Sequence, residues 1–139
     1  EGDLRVTFVP VQHWSKRRLD DANQTLEQIY GGDLNGRLWR WDVSLADPTA
    51  WQAATVLLAN LTDPSSVAQP ITTAPEIEID VNNGIDRFVL VGTGRLLDPT
   101  DLTIPDPEQI QTAYAIRDGR LDTPQTAGLP IAPRGSRTA

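Results

Sequence analysis

The sequence predicts an all-β chain built from antiparallel hairpins. Two Asn-Gly pairs, Asn35-Gly36 and Asn83-Gly84, each stand between runs rich in branched and aromatic residues. Such a pair is the strongest short-range hairpin signal, because its residues tolerate the positive φ that tight turns require. Residues 76–80, Glu-Ile-Glu-Ile-Asp, alternate strictly between polar and apolar, the period of a half-buried strand. Turn-forming residues are frequent, with 11 Pro and 10 Gly in 139 residues, and they break the chain into segments too short for long helices.

The first hairpin organises the chain. Ile29 and Tyr30 favour an extended strand because their side chains pack well on a pleated surface. Asn35-Gly36 is expected to form a type I′ turn, and residues 37–43 the returning strand. By the period of two, Trp39, Trp41 and Val43 share one face and Leu38, Arg40 and Asp42 the other. The two tryptophans are expected to be the buried face. Gly31 and Gly32 interrupt the first strand, which marks a bulge or a close approach by another group. Tryptophan packing over the glycine pair is the expected form of that approach.

Before this hairpin, residues 4–9 read as a strand with Val6 and Phe8 inward, and Pro10 suits an edge or bulge. Residues 15–18, Ser-Lys-Arg-Arg, lie beside His13 and Trp14 and read as a solvated basic loop, with a local anion or partner contact as the alternative. After the hairpin, Asp47 followed by Pro48 is a helix-start pattern. Residues 48–61 are either that helix or, around residues 55–58, a strand. Trp51 is expected to plug the core. In the second half, Ile77 and Ile79 point inward from residues 76–80. Residues 85–93 return with apolar groups on both faces, the pattern of a strand covered on both sides. Residues 97–109 form a proline-containing loop, and residues 112–117 a further strand closed by Asp118-Gly119. Beyond Leu121, Pro, Gly, Thr and Ala predict an extended or disordered tail over residues 121–139. The glycine-rich strand ends at residues 29–33 and 90–94, each followed by a strand ending in Asp (Asp42, Asp118), form an imperfect internal echo.

The segment Tyr30-Gly31-Gly32-Asp33-Leu34-Asn35-Gly36-Arg37-Leu38-Trp39-Arg40-Trp41-Asp42 resembles the blade signature of the PilY-type proteins of type IV pili. Residues 87–97 (Arg-Phe-Val-Leu-Val-Gly-Thr-Gly-Arg-Leu-Leu), 111–119 (Gln-Thr-Ala-Tyr-Ala-Ile-Arg-Asp-Gly) and 69–77 resemble further segments of the same family. The likeness runs from about residue 20 to 119. It implies about two blades of a quinoprotein-like β-propeller, with blade-like units near 4–61 and 70–120. A closed propeller needs at least four blades, and the chain opens at Glu1 without any Met, so an excerpt of a longer protein is expected.

The resemblance also implies a calcium loop just before the Tyr30 strand. The matching stretch, residues 20–27, offers Asp21, Asn23 and Glu27, with Thr25 between, as hard oxygen donors of the kind Ca²⁺ takes. It departs from the family loop in length, in carrying Thr25 where an acid is usual, and in lacking a central glycine. The expectation is no ion or one weakly held calcium. The oxygen-rich stretch 80–86 reads more economically as a hairpin turn. Gly92-Thr93-Gly94 lacks the third glycine and following helix of a dinucleotide fingerprint, and reads as strand packing. With His13 as the only histidine and no cysteine, no catalytic constellation is legible, no disulfide can form and no quinone is expected.

A net charge of −7 argues against nucleic acid and anionic membranes as partners. No apolar run approaches the roughly 18 residues of a membrane helix. The resemblance therefore implies a non-enzymatic component of type IV pilus biogenesis, retraction control and surface adhesion. It would be exported to the periplasm, outer membrane or pilus tip of a Gram-negative bacterium, with pilus proteins such as minor pilins and host or surface ligands as partners. The alternatives are a blade of a quinone-dependent dehydrogenase and a generic propeller scaffold for protein interactions.

Overall fold

The computed structural model describes residues 5–9, 28–43, 46–51, 53–80, 82, 85–95, 99–103, 109–120 and 123–134. The expectations for the 10–27 stretch (His13, the basic residues 15–18, and Asp21, Asn23 and Glu27), for Asn83-Gly84 and for residues 135–139 fall outside these residues. So do those for the side chains of Val6 and Phe8.

Among the described residues, seven strands form two antiparallel sheets. The first contains β1 (Arg5–Val9), β2 (Gln28–Gly32), β3 (Arg37–Asp42) and β4 (Thr55–Asn60), hydrogen-bonded in that order. The second contains β5 (Glu76–Asp80), β6 (Asp86–Gly92) and β7 (Ala113–Arg120), again in chain order. The only helical pieces among the described residues are 3₁₀ turns at Pro48–Ala50 and Pro99–Leu102, so none is long and apolar enough to cross a membrane. The helix-start pattern at Asp47 is real but brief. Its side chain accepts a bond from the Thr49 N–H, and the chain then enters β4, so residues 55–58 are strand. Trp51 is half-buried and does not plug the core.

The first hairpin forms where expected, but its turn differs. Asp33, not Asn35, opens it: Gly36 N–H donates to the Asp33 carbonyl (3.2 Å) and Asp33 N–H to that of Arg37 (3.0 Å). Gly36 alone in this turn has positive φ, +70°. Leu34 and Asn35 are therefore the central residues of a type I turn, and Gly36 forms the left-handed bulge after it. The Asp33 carboxylate decides this arrangement by accepting from the Asn35 and Arg37 N–H groups and from Trp39 Nε1. Residues 63–67 repeat the pattern. Asp63 accepts from the Ser65 and Val67 N–H groups, and Ser66 takes the left-handed position with φ +66°.

The buried face of this hairpin is the one carrying Leu38 and Arg40; Trp39 and Trp41 are only half-buried. Gly32 makes room for Ile71, not for tryptophan. A Cβ on Gly32 would lie 2.2 Å from Ile71 Cγ2. A register shift between Leu38 and Trp39 turns two successive β4 residues, Leu58 and Ala59, into the core, as a bulge does.

The two sheets pack face to face. Tyr30, Leu38, Leu58, Ala59 and Leu61 from the first half meet Ile71, Val89, Val91 and Ile116 from the second in one apolar cluster. On β6 the alternation puts Arg87, Val89 and Val91 toward the first sheet, while Phe88 is half-buried and Leu90 exposed on the far side. Among the described residues, that strand is covered on one face only. After β7 the chain returns to the first sheet. Ile131 N–H donates to the Leu58 carbonyl (2.8 Å) and the Asn60 N–H to that of Ile131 (2.9 Å), tying the chain at Ile131 to the outer edge of β4.

Candidate functional site: a buried charge cluster between the sheets

Where the sheets meet, the core is polar at one end. Tyr30 and Arg40 are directly opposite in the β2–β3 register, so both side chains project from the same row. Gln28 is two residues before Tyr30 on that face. From the other sheet, Arg87 projects inward two residues before Val89, and Asp118 two residues after Ile116. The strand parity that buries the valines and isoleucine buries these charges as well. Asp118 is 0 % exposed, Arg87 1 %, Tyr30 1 % and Arg40 4 %.

Asp118 is the hub. Its Oδ1 accepts from Arg40 Nη1 and from the Gln125 backbone N–H (3.1 Å); its Oδ2 accepts from the Tyr30 hydroxyl (2.6 Å) and Arg87 Nη2 (3.2 Å). Arg40 Nη2 donates to the Gln125 carbonyl at 3.0 Å. Arg87 donates from Nη1 to Gln28 Oε1 and from Nη2 to the Asp118 carbonyl, and its guanidinium carbon lies 5.9 Å from the Tyr30 ring centroid. Its Nε is the one buried side-chain polar atom without a partner among the described residues.

Gly119 lets the strand end feed this hub. Its φ is +68°, and a Cβ there would sit 2.3 Å from the Thr123 carbonyl oxygen and 2.7 Å from the Gln125 nitrogen. The register shift in β7 beside it bends the chain back so that Gln125 reaches both Asp118 and Arg40. Burial pushes the Tyr30 hydroxyl far above its ordinary pKa; the Asp118 charge adds to the shift, and Arg87 and Arg40 oppose it. Tyr30 therefore remains a hydrogen-bond donor throughout the physiological range.

Chemically, this cluster is a tie. The carboxylate receives four donors, which uses its lone-pair capacity, and no member of the cluster presents a reactive atom to solvent. Of its residues, Tyr30 and Arg40 lie in the first signature-like segment, Arg87 opens the segment 87–97, and Asp118 is next to last in the segment 111–119. The signature positions that look unrelated along the chain converge at one inter-sheet contact.

A second polar group joins the opposite end. Gln69, fully buried, donates through Nε2 to the Ile110 carbonyl and Thr112 Oγ1, and accepts from the Tyr114 hydroxyl (2.6 Å). Arg134 donates to Tyr114 and Thr112, so the C-terminal segment is held here too.

Of the oxygen-rich stretch 80–86, residues 80, 82, 85 and 86 are described. Asp80 Oδ1 accepts from the Asn82 N–H, and both oxygens of Asp86 accept from Arg117 at 2.9 Å. Gly92, Thr93 and Gly94 pack by backbone bonds, with Thr93 N–H to the Thr112 carbonyl and Gly94 N–H to that of Pro70. Among the described residues no three His, Asp or Glu side chains converge as a metal site. Asp21, Asn23 and Glu27 lie outside those residues, with Glu27 immediately preceding Gln28 of the cluster.

The arrangement, two face-packed antiparallel sheets each formed in chain order, defines a blade-like all-β segment. No family model matches the chain. Its fold matches the crystal structure of the Pseudomonas aeruginosa PilY1 C-terminal domain, with a TM-score of 0.60 and 25% identity, over 78% of this chain and 26% of that one. Two Xylella fastidiosa proteins, each named a type IV pilus biogenesis factor PilY1 homolog, are 31% and 29% identical over 105 residues. These matches take in 76% and 70% of this chain but only 8% and 7% of the relatives' own lengths. The chain is a PilY-type segment.

Proposed function

We propose that the segment is a non-enzymatic structural part of a type IV pilus biogenesis factor. The observation that supports this most directly is the convergence of Tyr30, Arg40, Arg87 and Asp118 at one buried contact. The residues that carry the family likeness are spent on joining two blades, and none is held out for chemistry. In this reading the sheets form a rigid support within a longer exported protein. That protein acts at the periplasm, outer membrane or pilus tip, in pilus assembly, retraction control and surface adhesion. Its partners are pilus proteins such as minor pilins, and host or surface ligands. Asp21, Asn23 and Glu27 hold at most one weak calcium ion through carboxylate and amide oxygens, and no quinone is bound.

The test is a chromosomal Asp118→Leu replacement in the organism of origin. The expected outcome is loss of surface pili and of twitching, comparable to deleting residues 28–120. Normal piliation in the deletion strain would overturn the proposal. An absorbance scan of the purified protein addresses the dehydrogenase alternative, since a bound quinone would absorb in the near-ultraviolet and visible.

A further inference from the structure

At the end of the molecule opposite the charge cluster, Arg134 is held by neutral groups. Its Nε donates to the Tyr114 hydroxyl (3.3 Å) and its Nη2 to Thr112 Oγ1 (2.7 Å). The chain has 19 acidic and 12 basic residues, yet among the described residues no carboxylate pairs with this arginine. The carboxylate of the adjoining 61–69 loop, Asp63, is taken up by its own turn, accepting from the Ser65 and Val67 N–H groups. Arg134 is half-buried, so its position is fixed while solvent still reaches it.

The hydrogen bonds around it are short of acceptors. Gln69 Oε1 (2.6 Å) and the Thr62 carbonyl (3.1 Å) both face the Tyr114 hydroxyl, whose single proton goes to one of them, so toward Arg134 it only accepts. Thr112 Oγ1 accepts from Gln69 Nε2 (3.1 Å) as well as from Arg134. That uses both of its lone pairs and leaves its own proton for a further acceptor. Arg134 Nη1 likewise has no acceptor among the described residues. A hydroxyl proton and a guanidinium fork thus stand side by side with one positive charge and nothing to receive them. Next to them the surface is aliphatic. Ile110, whose carbonyl accepts from Gln69, is 55% exposed, and Val67, two residues before Gln69, is 54% exposed; no aromatic ring is among the exposed large apolar residues described.

We propose that Arg134 and Thr112 form a carboxylate site for an acidic peptide, whose neighbouring aliphatic side chain lies against Ile110 and Val67. A carboxylate is the planar, two-oxygen acceptor that a guanidinium fork matches, and it carries the missing charge. Its oxygens accept from Arg134 and from the Thr112 hydroxyl. The buried Gln69 holds Thr112 and Tyr114 in place beforehand, so little ordering is left to the binding step. The aliphatic shelf selects a peptide over an acidic sugar: the C–H face of a sugar ring seeks an aromatic ring, whereas a Leu or Val side chain packs on Ile and Val.

The experiment titrates the 139-residue chain with the peptide acetyl-Leu-Glu-amide and its neutral analogue acetyl-Leu-Gln-amide. Binding is followed by the Arg134 Nε–H resonance and the methyl resonances of Thr112 and Ile110. The acidic peptide should shift all three, with a preference over the neutral one of roughly tenfold, the effect of one charge-assisted pair. That preference should shrink in high salt. It should vanish in Arg134→Gln and survive in part in Arg134→Lys, which keeps the charge and loses the fork. Ile110→Ser, at an exposed position, should weaken both peptides and leave their ratio unchanged. Circular dichroism verifies that each variant keeps the fold. Equal binding of the two peptides, shifts confined to other residues, or no shift up to the solubility of the acidic peptide would each overturn the proposal. So would acetate or glucuronate binding as tightly as the acidic peptide, the first by removing the aliphatic contact and the second by assigning the site to an acidic sugar.

Discussion

Replacing Asp118 with Leu is the sharpest perturbation of this molecule. The change keeps a side chain of similar size but removes the acceptor for Tyr30, Arg40, Arg87 and the Gln125 N–H at once. Two guanidinium groups, 5% and 2% exposed, would then be left without a counter-charge. Breaking one side of a buried pair costs about 3–5 kcal/mol, because the stranded charge remains desolvated. Against a total stability of about 5–15 kcal/mol for a domain, that is a drop in melting temperature of roughly 10–20 °C. Urea denaturation followed by tryptophan fluorescence measures it. The argument makes a second demand, which separates charge from packing. The triple variant Arg40→Met, Arg87→Met, Asp118→Leu removes the whole set, and wholesale apolar replacement of a buried ion cluster is often neutral or stabilising. It should therefore recover most of the lost stability, and an Arg40→Met, Asp118→Leu cycle should show coupling of about 1–3 kcal/mol. If Asp118→Leu unfolds within 1 kcal/mol of the parent, or the triple variant is worse than the single one, the cluster is not the tie described here.

Gly36→Ala should cost several kcal/mol, or prevent folding, because the new Cβ would lie 2.4 Å from the Leu61 carbonyl at a φ of +70°; a calorimetric melting temperature within a degree or two of the parent would refute this. Ser66→Gly should do the reverse and gain up to about 1 kcal/mol, since a left-handed residue with a side chain costs about 1–2 kcal/mol and glycine returns part of that as unfolded-state entropy. Above about pH 10, where an unfolded tyrosine ionises, stability should decline: burial raises the folded-state Tyr30 value, so its contribution is complete below the unfolded value and is lost as the pH climbs toward the folded one. Tyr30→Phe should show a shallower alkaline decline in the same titration. Calcium at tens of millimolar should raise the melting temperature if residues 20–27 hold a site with a Kd of about 10⁻⁴–10⁻³ M, and Asp21→Ala with Asn23→Ala should abolish the shift.

The strand pattern of this fold is legible in the chain because turn chemistry and alternation are local. Ile77 and Ile79 are half-buried while Glu76 and Glu78 are exposed, as the period of two requires. The first hairpin is found by its Asn-Gly pair, yet that pair does not set its turn type. A side-chain acceptor two residues earlier, Asp33, captures the Asn35 and Arg37 N–H groups and moves the turn forward by one residue. Asp at the first position and Gly at the fourth are themselves a type I signal, present in the sequence at Asp33 and Gly36.

The buried face of that hairpin is where local reasoning fails, and the failure explains the site. Ranking faces by hydrophobic size selects Trp39 and Trp41, whereas the structure buries Leu38 and Arg40. Arg40 is tolerable inside only because Asp118, 78 positions along the chain, arrives with a carboxylate. No window of sequence contains both partners. One signal does survive: Arg87 shares parity with Val89 and Val91, and Asp118 with Ile116, so strands that are inward-facing by their apolar residues carry opposite charges on the same face. A charge in phase with a buried row must be paired or must break the strand. Two strands that each carry such a charge, of opposite sign, therefore specify one another as neighbours. In this chain the rule pairs β6 with β7, and Arg40 of the first sheet extends it across the interface by reaching Asp118, so the Arg40–Asp118–Arg87 contact joins the two sheets alongside the apolar cluster.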